Sequence, residues 1–578
     1  MLELAVFLKK YKKQCILGPA FKFSEVIFEL LLPTILALII NNGVGRGDGD
    51  YIVRMGLLMA GLACLGFGCA VVCQRYAAQA SQGFGTDLRN ALFAKILTFS
   101  FPQMDRYGAP TLTTRLTNDV NQLQVWVAMM IRLVSRAPFI LLGSILMAFL
   151  LDTRLALLLV AATPLLAAII FYITKAAGPL YRAYQGRLDR LSNVLREHLA
   201  GVRVIRAFTK NTQERERFAA VNGELMGNGF AIGTVSALFN PLTSLVVNGL
   251  IVLILWVGGG QVQVGGLSQG QIIAFINYAS QILAALLVLS NLIILLTKAM
   301  ASAARVNEVL HEPVEATEGA GMATAATQKP DAPAIEFRDV SFGYHAGGDL
   351  ALEHLSFTIA RGETVGVIGG TGAGKTTLGQ LIPRFYPVTS GKLLVNGVPA
   401  EEYAADALRS KIAIVFQKAT LFGGTVAENI RWAGEADDDG VRTAAATAQA
   451  DEFITALPQG YDSPVERGGV NLSGGQRQRL TIARALAAQS EILILDDASS
   501  ALDYLTDARL RAAIRRMEGT RTVLLLSQRV SVVRGADRIL VLEDGKLAGV
   551  GTHDDLLRTC EAYREICASQ QVGEEAQA

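Results

Sequence analysis

At 578 residues, 51% of them hydrophobic, and with a mean hydropathy of +0.35, the chain is too long for one domain and too apolar to be wholly soluble. A net charge of +2 and a pI of about 8.1 give no reason to invoke nucleic acid. Part of the chain must meet lipid.

The chain opens on a basic segment, Met1 to Lys13, that leads into a full-length apolar run without a small-residue cleavage pattern, so it reads as an amphipathic elbow along a membrane surface and not as a cleavable signal. Runs of roughly 20 apolar residues, enough to cross a hydrocarbon core as a helix, follow at Cys15 to Ile40, Tyr51 to Val72, Val125 to Leu151, Leu155 to Ile173, Ala237 to Gly258 and Gln271 to Leu296. Six spans return both termini to one side. Lys9, Lys10, Lys12 and Lys13 precede the first span, whereas the loops Asn41 to Asp50, Asp152 to Arg154 and Gly259 to Gly270 carry two basic residues between them, Arg46 and Arg154, which places both termini in the cytoplasm.

Lys22, Glu25 and Glu29 interrupt the first span at helical spacing. Charges at such depth face protein or water. Glu25 and Glu29 are therefore candidate cavity residues, with Lys22 and Glu25 spaced to pair and Glu29 expected to bias the cavity toward cationic or amphipathic substrates. Gln74 to Gln124 and Lys175 to Thr234 keep a helical apolar period but are too polar to cross, and read as cytoplasmic extensions of the membrane helices. The six cysteines show no paired CxxC spacing and read as small packing residues. His311 to Pro333, rich in Ala, Gly, Thr, Glu and Pro, reads as a linker.

Past the linker the chemistry changes. The apolar run Val365 to Ile368 enters Gly369-Gly370-Thr371-Gly372-Ala373-Gly374-Lys375-Thr376-Thr377, a glycine loop that opens a helix. In such a loop backbone N–H groups turn toward phosphates, Lys375 adds positive charge and the Thr376 hydroxyl is available to Mg²⁺. Ile492 to Leu495 is a second buried strand, and it ends in Asp496, a carboxylate able to hold that metal. Between them Leu472-Ser473-Gly474-Gly475-Gln476 combines a small hydroxyl with two glycines that let backbone approach a phosphate.

This last pentapeptide resembles the signature of ATP-binding cassette (ABC) proteins. The resemblance extends to Tyr344 as the aromatic that stacks on adenine, to Gln417 as the glutamine that senses Mg²⁺, to Glu466-Arg467-Gly468-Gly469 as an exporter-type loop, and to Ser500-Ala501-Leu502-Asp503 as the loop that crosses to a partner domain. Phe101 to Arg106 and Ala207 to Phe218 resemble the turns that bear the coupling helices of ABC exporters. The implied fold is an α-helical membrane domain of six transmembrane helices with long cytoplasmic extensions over residues 1–310, a linker over 311–333, and an α/β phosphate-loop nucleotide-binding domain over 334–578. The implied cofactors are ATP and Mg²⁺. The implied activity is ATP-driven outward transport across the plasma membrane of a prokaryote, with no soluble binding protein. Drugs, lipids and peptides all remain open as substrates.

Two positions depart from the family's pattern. The glutamate that polarises the attacking water is replaced by Asp497, and the histidine that contacts the γ-phosphate by Gln528. Aspartate is one methylene shorter, so its oxygens fall roughly 1 Å short, which can cost on the order of a hundredfold in rate. Glutamine donates a neutral hydrogen bond but cannot become a cation. The pattern resembles the degenerate-site subunit of a heterodimeric exporter, whose partner half-transporter brings the catalytic glutamate and histidine while Ser473 to Gln476 completes that partner's site. A homodimeric exporter, or an ATP-gated membrane regulator, is the alternative.

Overall fold

The computed structural model describes residues 3–313, 331–345, 347–517 and 521–575. The chain divides into two compact units, Met1–Leu97 with Pro110–Glu312, and Thr98–Ala109 with Pro313–Ala578. Most of the predicted linker, residues 314–330, lies outside the described residues.

The first unit contains helical stretches at Glu3–Val44, Gly49–Leu97, Ala109–Leu151, Thr153–Ala207, Asn211–Gln263 and Gln269–His311, each long and apolar enough to cross a membrane. Each predicted span falls inside one of them. Protein covers little of this apolar surface: in the most apolar window of Gly49–Leu97 only 6% of the residues are buried. A helix satisfies its own backbone groups, so such a surface is stable against hydrocarbon and unstable against water.

Polar side chains set the helix junctions. Asp152 accepts a hydrogen bond from the Leu155 backbone N–H at 2.9 Å and so starts the fourth stretch directly after the third. Ser268 and Gln271 form a reciprocal capping box at the start of the sixth. Among the helices, Tyr278 is fully buried, its hydroxyl donating to the Leu30 carbonyl and lying 2.9 Å from the Thr34 hydroxyl. Three short π-helical segments, Ile39–Val44, Arg115–Asp119 and Met130–Val134, interrupt the first and third stretches. The basic N-terminal segment forms a 3₁₀ helix over Glu3–Tyr11.

The second unit is built on a six-stranded sheet in the order Lys546–Gly551, Arg538–Glu543, Thr364–Ile368, Thr522–Ser527, Ile492–Asp496 and Ile412–Val415. All neighbours pair in parallel except the first two strands. Thr522–Ser527 and Ile492–Asp496 are buried at every position, which is why they read as continuous apolar runs and not as alternating ones. A four-stranded antiparallel sheet, ordered Leu352–Ile359, Ile335–Phe342, Ser390–Val395 and Val398–Pro399, packs its Phe337 and Phe357 rings in a stack at 4.5 Å.

A short helix from the first half of the sequence, Phe101–Tyr107, belongs to this second unit. Ser100 and Gln103 cap it reciprocally. Phe101 stacks on Phe385 at 4.2 Å, and the Tyr386 hydroxyl donates to Asp105 at 2.5 Å. Burial and the adjacent Asp105 carboxylate push the Tyr386 phenol well above its ordinary range, so it stays a donor. The other predicted turn, near Ala207 to Phe218, forms in the first unit, where Phe208, Thr209 and Lys210 separate the helices Thr153–Ala207 and Asn211–Ala237.

Candidate functional site

Three adjacent parallel strands carry the site on their C-terminal ends. The register sets Ser527 beside Ile368 and Leu526 beside Asp496, so the glycine loop after Ile368, Gln528 after Ser527, and the Asp496-Asp497 pair emerge side by side. Ligands of open α/β sheets bind at this edge.

The glycines are required by the geometry. Gly374 has φ +95°, and a Cβ on it would lie 2.5 Å from Leu352 Cδ2; a Cβ on Gly369 would lie 2.2 Å from the Leu542 carbonyl oxygen. Only glycine fits either position. The loop opens the helix Lys375–Leu381. Lys375 is buried, and its Nζ donates to the carbonyls of Gly369 at 2.9 Å and Gly370 at 2.7 Å. Burial pulls its ammonium below the ordinary lysine range, against the opposing pull of Asp497 and Asp496. Ammonium donors held only by neutral carbonyls are poised to exchange them for phosphate oxygens.

Tyr344, Ala351, Thr371, Gly372, Gly374, Lys375, Thr376, Thr377, Gln417, Asp496, Asp497 and Gln528 line one cavity of about 370 Å³. Thr376 Oγ1 donates to Asp496 Oδ1 at 3.1 Å. Burial raises the Asp496 carboxyl above its usual range; the Asp497 charge adds to this, and the Thr376 hydrogen bond and Lys375 oppose it. Gln417 Nε2 lies 3.5 Å from Asp497 Oδ2, and Thr371 Oγ1 donates to Gln528 Oε1 at 3.3 Å. Asp497 has a left-handed backbone, φ +45°. Aspartate and asparagine adopt that region far more readily than longer side chains.

Gly369, Gly370 and Ala373 shape the loop without lining the cavity. Ser473, Gly474, Gly475 and Gln476 also stand apart from it. Ser473 caps the helix Gly474–Ala487: its hydroxyl accepts from the Gln476 N–H at 3.3 Å, while its own N–H donates to Gln476 Oε1 at 2.8 Å. A Cβ on Gly475 would lie 3.0 Å from the Ala501 carbonyl oxygen, so the pentapeptide packs on the loop that ends in Asp503. Asp503 in turn caps Tyr504–Arg515 by accepting from the Thr506 N–H at 2.9 Å. Glu25 pairs with Lys22 at 2.7 Å and Glu29 with Arg136 at 2.8 Å, both in the first unit.

Two residues at the site escaped the sequence reading. The Tyr386 ring meets Tyr344 edge to face at 5.3 Å and 84°, which holds Tyr344 while leaving it 47% exposed. The Phe385-Tyr386 pair shortly after the glycine-loop helix was the available signal. Gln570, on the C-terminal helix Glu561–Glu575, donates to the Gln528 carbonyl at 2.7 Å and accepts from the Val530 N–H at 2.8 Å, holding the backbone on either side of Arg529.

Fold and site together define an ATP-binding domain of the phosphate-loop type on a chain whose other half is a six-helix membrane domain. Residues 15–286 match the model of the ABC transporter transmembrane region, and residues 352–500 that of the ABC transporter domain. The chain is 38% identical over 576 residues to an uncharacterized ABC transporter ATP-binding protein of Mycobacterium tuberculosis, covering 97% of each, and 37% identical over 565 residues to one of Bacillus subtilis, covering 98% of this chain and 97% of that one. Its fold is similar to that of a bacterial Atm1-family ABC exporter solved with ATP bound, with a TM-score of 0.75 at 24% identity over 98% of each chain. The chain belongs to the ABC transporter family. It is a multi-pass membrane half-transporter, an ABC membrane region and an ABC ATP-binding domain on one chain, driven by ATP.

Proposed function

We propose that the chain is one half of a heterodimeric exporter, in which its own cavity binds Mg·ATP without efficient cleavage and its Ser473–Gln476 segment completes the hydrolytic site of a different partner chain. One observation carries this reading: Asp497 and Gln528 line the cavity at the two hydrolysis positions, while the pentapeptide is intact, capped, and outside that cavity. Thr376, Asp496 and Gln417 are the residues that would hold Mg²⁺; their hydroxyl, carboxylate and amide oxygens are the hard donors it prefers. The metal would supply charge neutralisation between the β- and γ-phosphates. Tyr344 would stack on the base, and Lys375 with the loop N–H groups would hold the phosphates. Both termini lie in the cytoplasm in this reading, and substrate moves outward. Purified alone, the chain should hydrolyse ATP at a small fraction of the rate of the two-chain complex. Equal rates would favour the homodimer.

The Phe101–Tyr107 helix acts as a coupling element in this scheme. Its charge-assisted Tyr386–Asp105 hydrogen bond is worth about 1.5–3 kcal/mol. Tyr386→Phe should therefore cut substrate-stimulated ATPase and transport by roughly tenfold or more, with ATP affinity close to wild type. Measuring substrate-stimulated ATPase and transport in the two proteins checks this; stimulation and transport both unchanged count against the coupling role.

A further inference from the structure

Five ionisable side chains interrupt the apolar parts of the first and third membrane helices: Lys22, Glu25 and Glu29 in Glu3–Val44, and Arg132 and Arg136 in Ala109–Leu151. Four of them form two ion pairs, Lys22 with Glu25 and Arg136 with Glu29. The expectation of a cation-selective Glu29 thus meets a counter-charge already in place. Three cations face two carboxylates, and the surplus is positive.

Arg132 carries that surplus. Among the described residues it has no ion pair, and its Nε is buried without a hydrogen-bond partner. Arg136 Nε is also buried without a partner, but its Nη2 donates to both oxygens of Glu29, at 2.8 and 2.9 Å. Lys22, Glu25 and Arg132 occupy one neighbourhood, all within electrostatic reach of the Cys73 thiol on Gly49–Leu97. Arg132 lies seven residues, roughly 10 Å, along the helix from Val125, where the apolar run begins.

The local backbone points the same way. Arg132 is the middle residue of the π-helical segment Met130–Val134. Such segments give up regular hydrogen bonding to re-aim side chains and cluster at functional positions. The segment is pinned by its neighbour: Ile131 is buried against Gly18 of the first helix, where an added Cβ would lie 2.6 Å from Ile131 Cγ2. An unpaired guanidinium at this depth is costly unless an anion meets it. A guanidinium matches carboxylate and phosphate oxygens two at a time. Apolar surface is at hand on the same two helices, where Phe23 and Phe139 meet edge to face at 4.7 Å and each is 43% exposed.

We infer that Arg132 binds the headgroup of the transported substrate, and that this substrate is an amphipathic anion, a carboxylate or phosphate monoester on an apolar chain. The inference rests on the exporter reading above. A resident anionic lipid has the same headgroup chemistry, so the test must separate cargo from lipid.

The complex is placed in phosphatidylcholine nanodiscs and titrated with palmitate and hexadecyl phosphate, with hexadecanol and hexadecyltrimethylammonium as the uncharged and cationic counterparts. Binding of radiolabelled palmitate is read directly, ATP turnover alongside it, and palmitate movement in vesicles. The two anions should bind and stimulate turnover, and palmitate should be moved. Arg132→Gln should raise the half-saturating palmitate concentration about tenfold and leave turnover without amphiphile unchanged. Arg132→Lys, which keeps the charge but not the planar fork, should fall between them and serves if the glutamine variant does not assemble. Equal palmitate affinity in wild type and both variants overturns the inference, as does stimulation by the cation equal to that by the anions. Competition by added phosphatidylglycerol with no palmitate moved also overturns it, by making this a lipid site. Because binding needs no hydrolysis, failure of the exporter reading alone shows as charge-selective binding without turnover.

Discussion

Gly474→Asp, introduced into this chain and assembled with a wild-type partner, should abolish nearly all ATPase activity of the complex, whereas Asp497→Asn should leave most of it. The glycine sits at the first turn of Gly474–Ala487, where an added Cβ meets nothing nearer than Ala501 Cβ at 3.9 Å, so the variant chain folds. Its damage falls on the nucleotide that the partner's phosphate loop presents. A carboxylate at that helix start takes the place of the γ-phosphate and repels the remaining phosphates, opposing closure of the two domains. Ser473→Arg should act alike by bulk, with loss of the N-cap adding about 0.5–2 kcal/mol of destabilisation. Asp497 serves a site that is already slow in this reading, and Asp496 still holds the metal in the asparagine variant. If the chain worked instead as an active homodimer, Asp497 would be the base in both sites, and removing its charge would lower turnover by roughly 10² to 10⁴. ATPase rates of the two variants therefore separate the models, and a large loss for Asp497→Asn would defeat the degenerate site.

Intact ATP should remain bound at Lys375 through several turnovers of the other site. The groups this reading assigns to binding are in place: Tyr344, half exposed, the glycine loop, Lys375 with its two carbonyl contacts, and Thr376 beside Asp496. In the degenerate-site reading only the chemical step is impaired, because the residues at positions 497 and 528 neither reach nor protonate as glutamate and histidine do. Trapping labelled, cross-linkable ATP during steady-state turnover and analysing the nucleotide attached near Lys375 should give mostly triphosphate. Lys375→Ala removes a charge-assisted contact worth about 1.5–3 kcal/mol and should lower ATP occupancy of this site by about ten- to a hundredfold. Recovery of ADP alone, released at the overall turnover rate, contradicts retention.

The parts of the site legible in the sequence are those where chemistry demands a fixed local spacing. A phosphate cradle needs consecutive backbone N–H groups, so Gly369 to Thr377 is contiguous; a buried parallel strand needs apolar residues on both faces, so Ile492 to Asp496 announces itself. The strand that enters the glycine loop and Ile492–Asp496 flank Thr522–Ser527 in one parallel sheet. What stayed hidden depends on contacts across long separations. Asp105 and Tyr386 are 281 residues apart, and nothing in either neighbourhood announces the hydrogen bond between them. Glu29 finds Arg136 at a separation of 107, so its apparent free charge was a property of reading one helix by itself. The outer limits of the third membrane helix were also obscured, because the Ala109–Leu151 stretch begins in a segment helical in period yet too polar to read as a span. The π-helical segment around Arg132 leaves no trace in hydrophobic periodicity; it is a matter of one extra residue in a turn.

The placement of Phe101–Tyr107 has a consequence for biosynthesis. The ribosome makes this segment more than two hundred residues before the aromatic surface that receives it, Phe385 with its stacked neighbour Phe416 and the hydroxyl of Tyr386. The second unit therefore has a native partner waiting for it as it emerges, already held to the helices on either side of residues 98–109. Domains fold largely in order of synthesis, and surfaces left uncovered during that interval drive aggregation. A fragment begun at residue 334 would emerge with these rings open to solvent and Asp105 absent, and its solubility should recover when a peptide spanning residues 98–109 is supplied in trans.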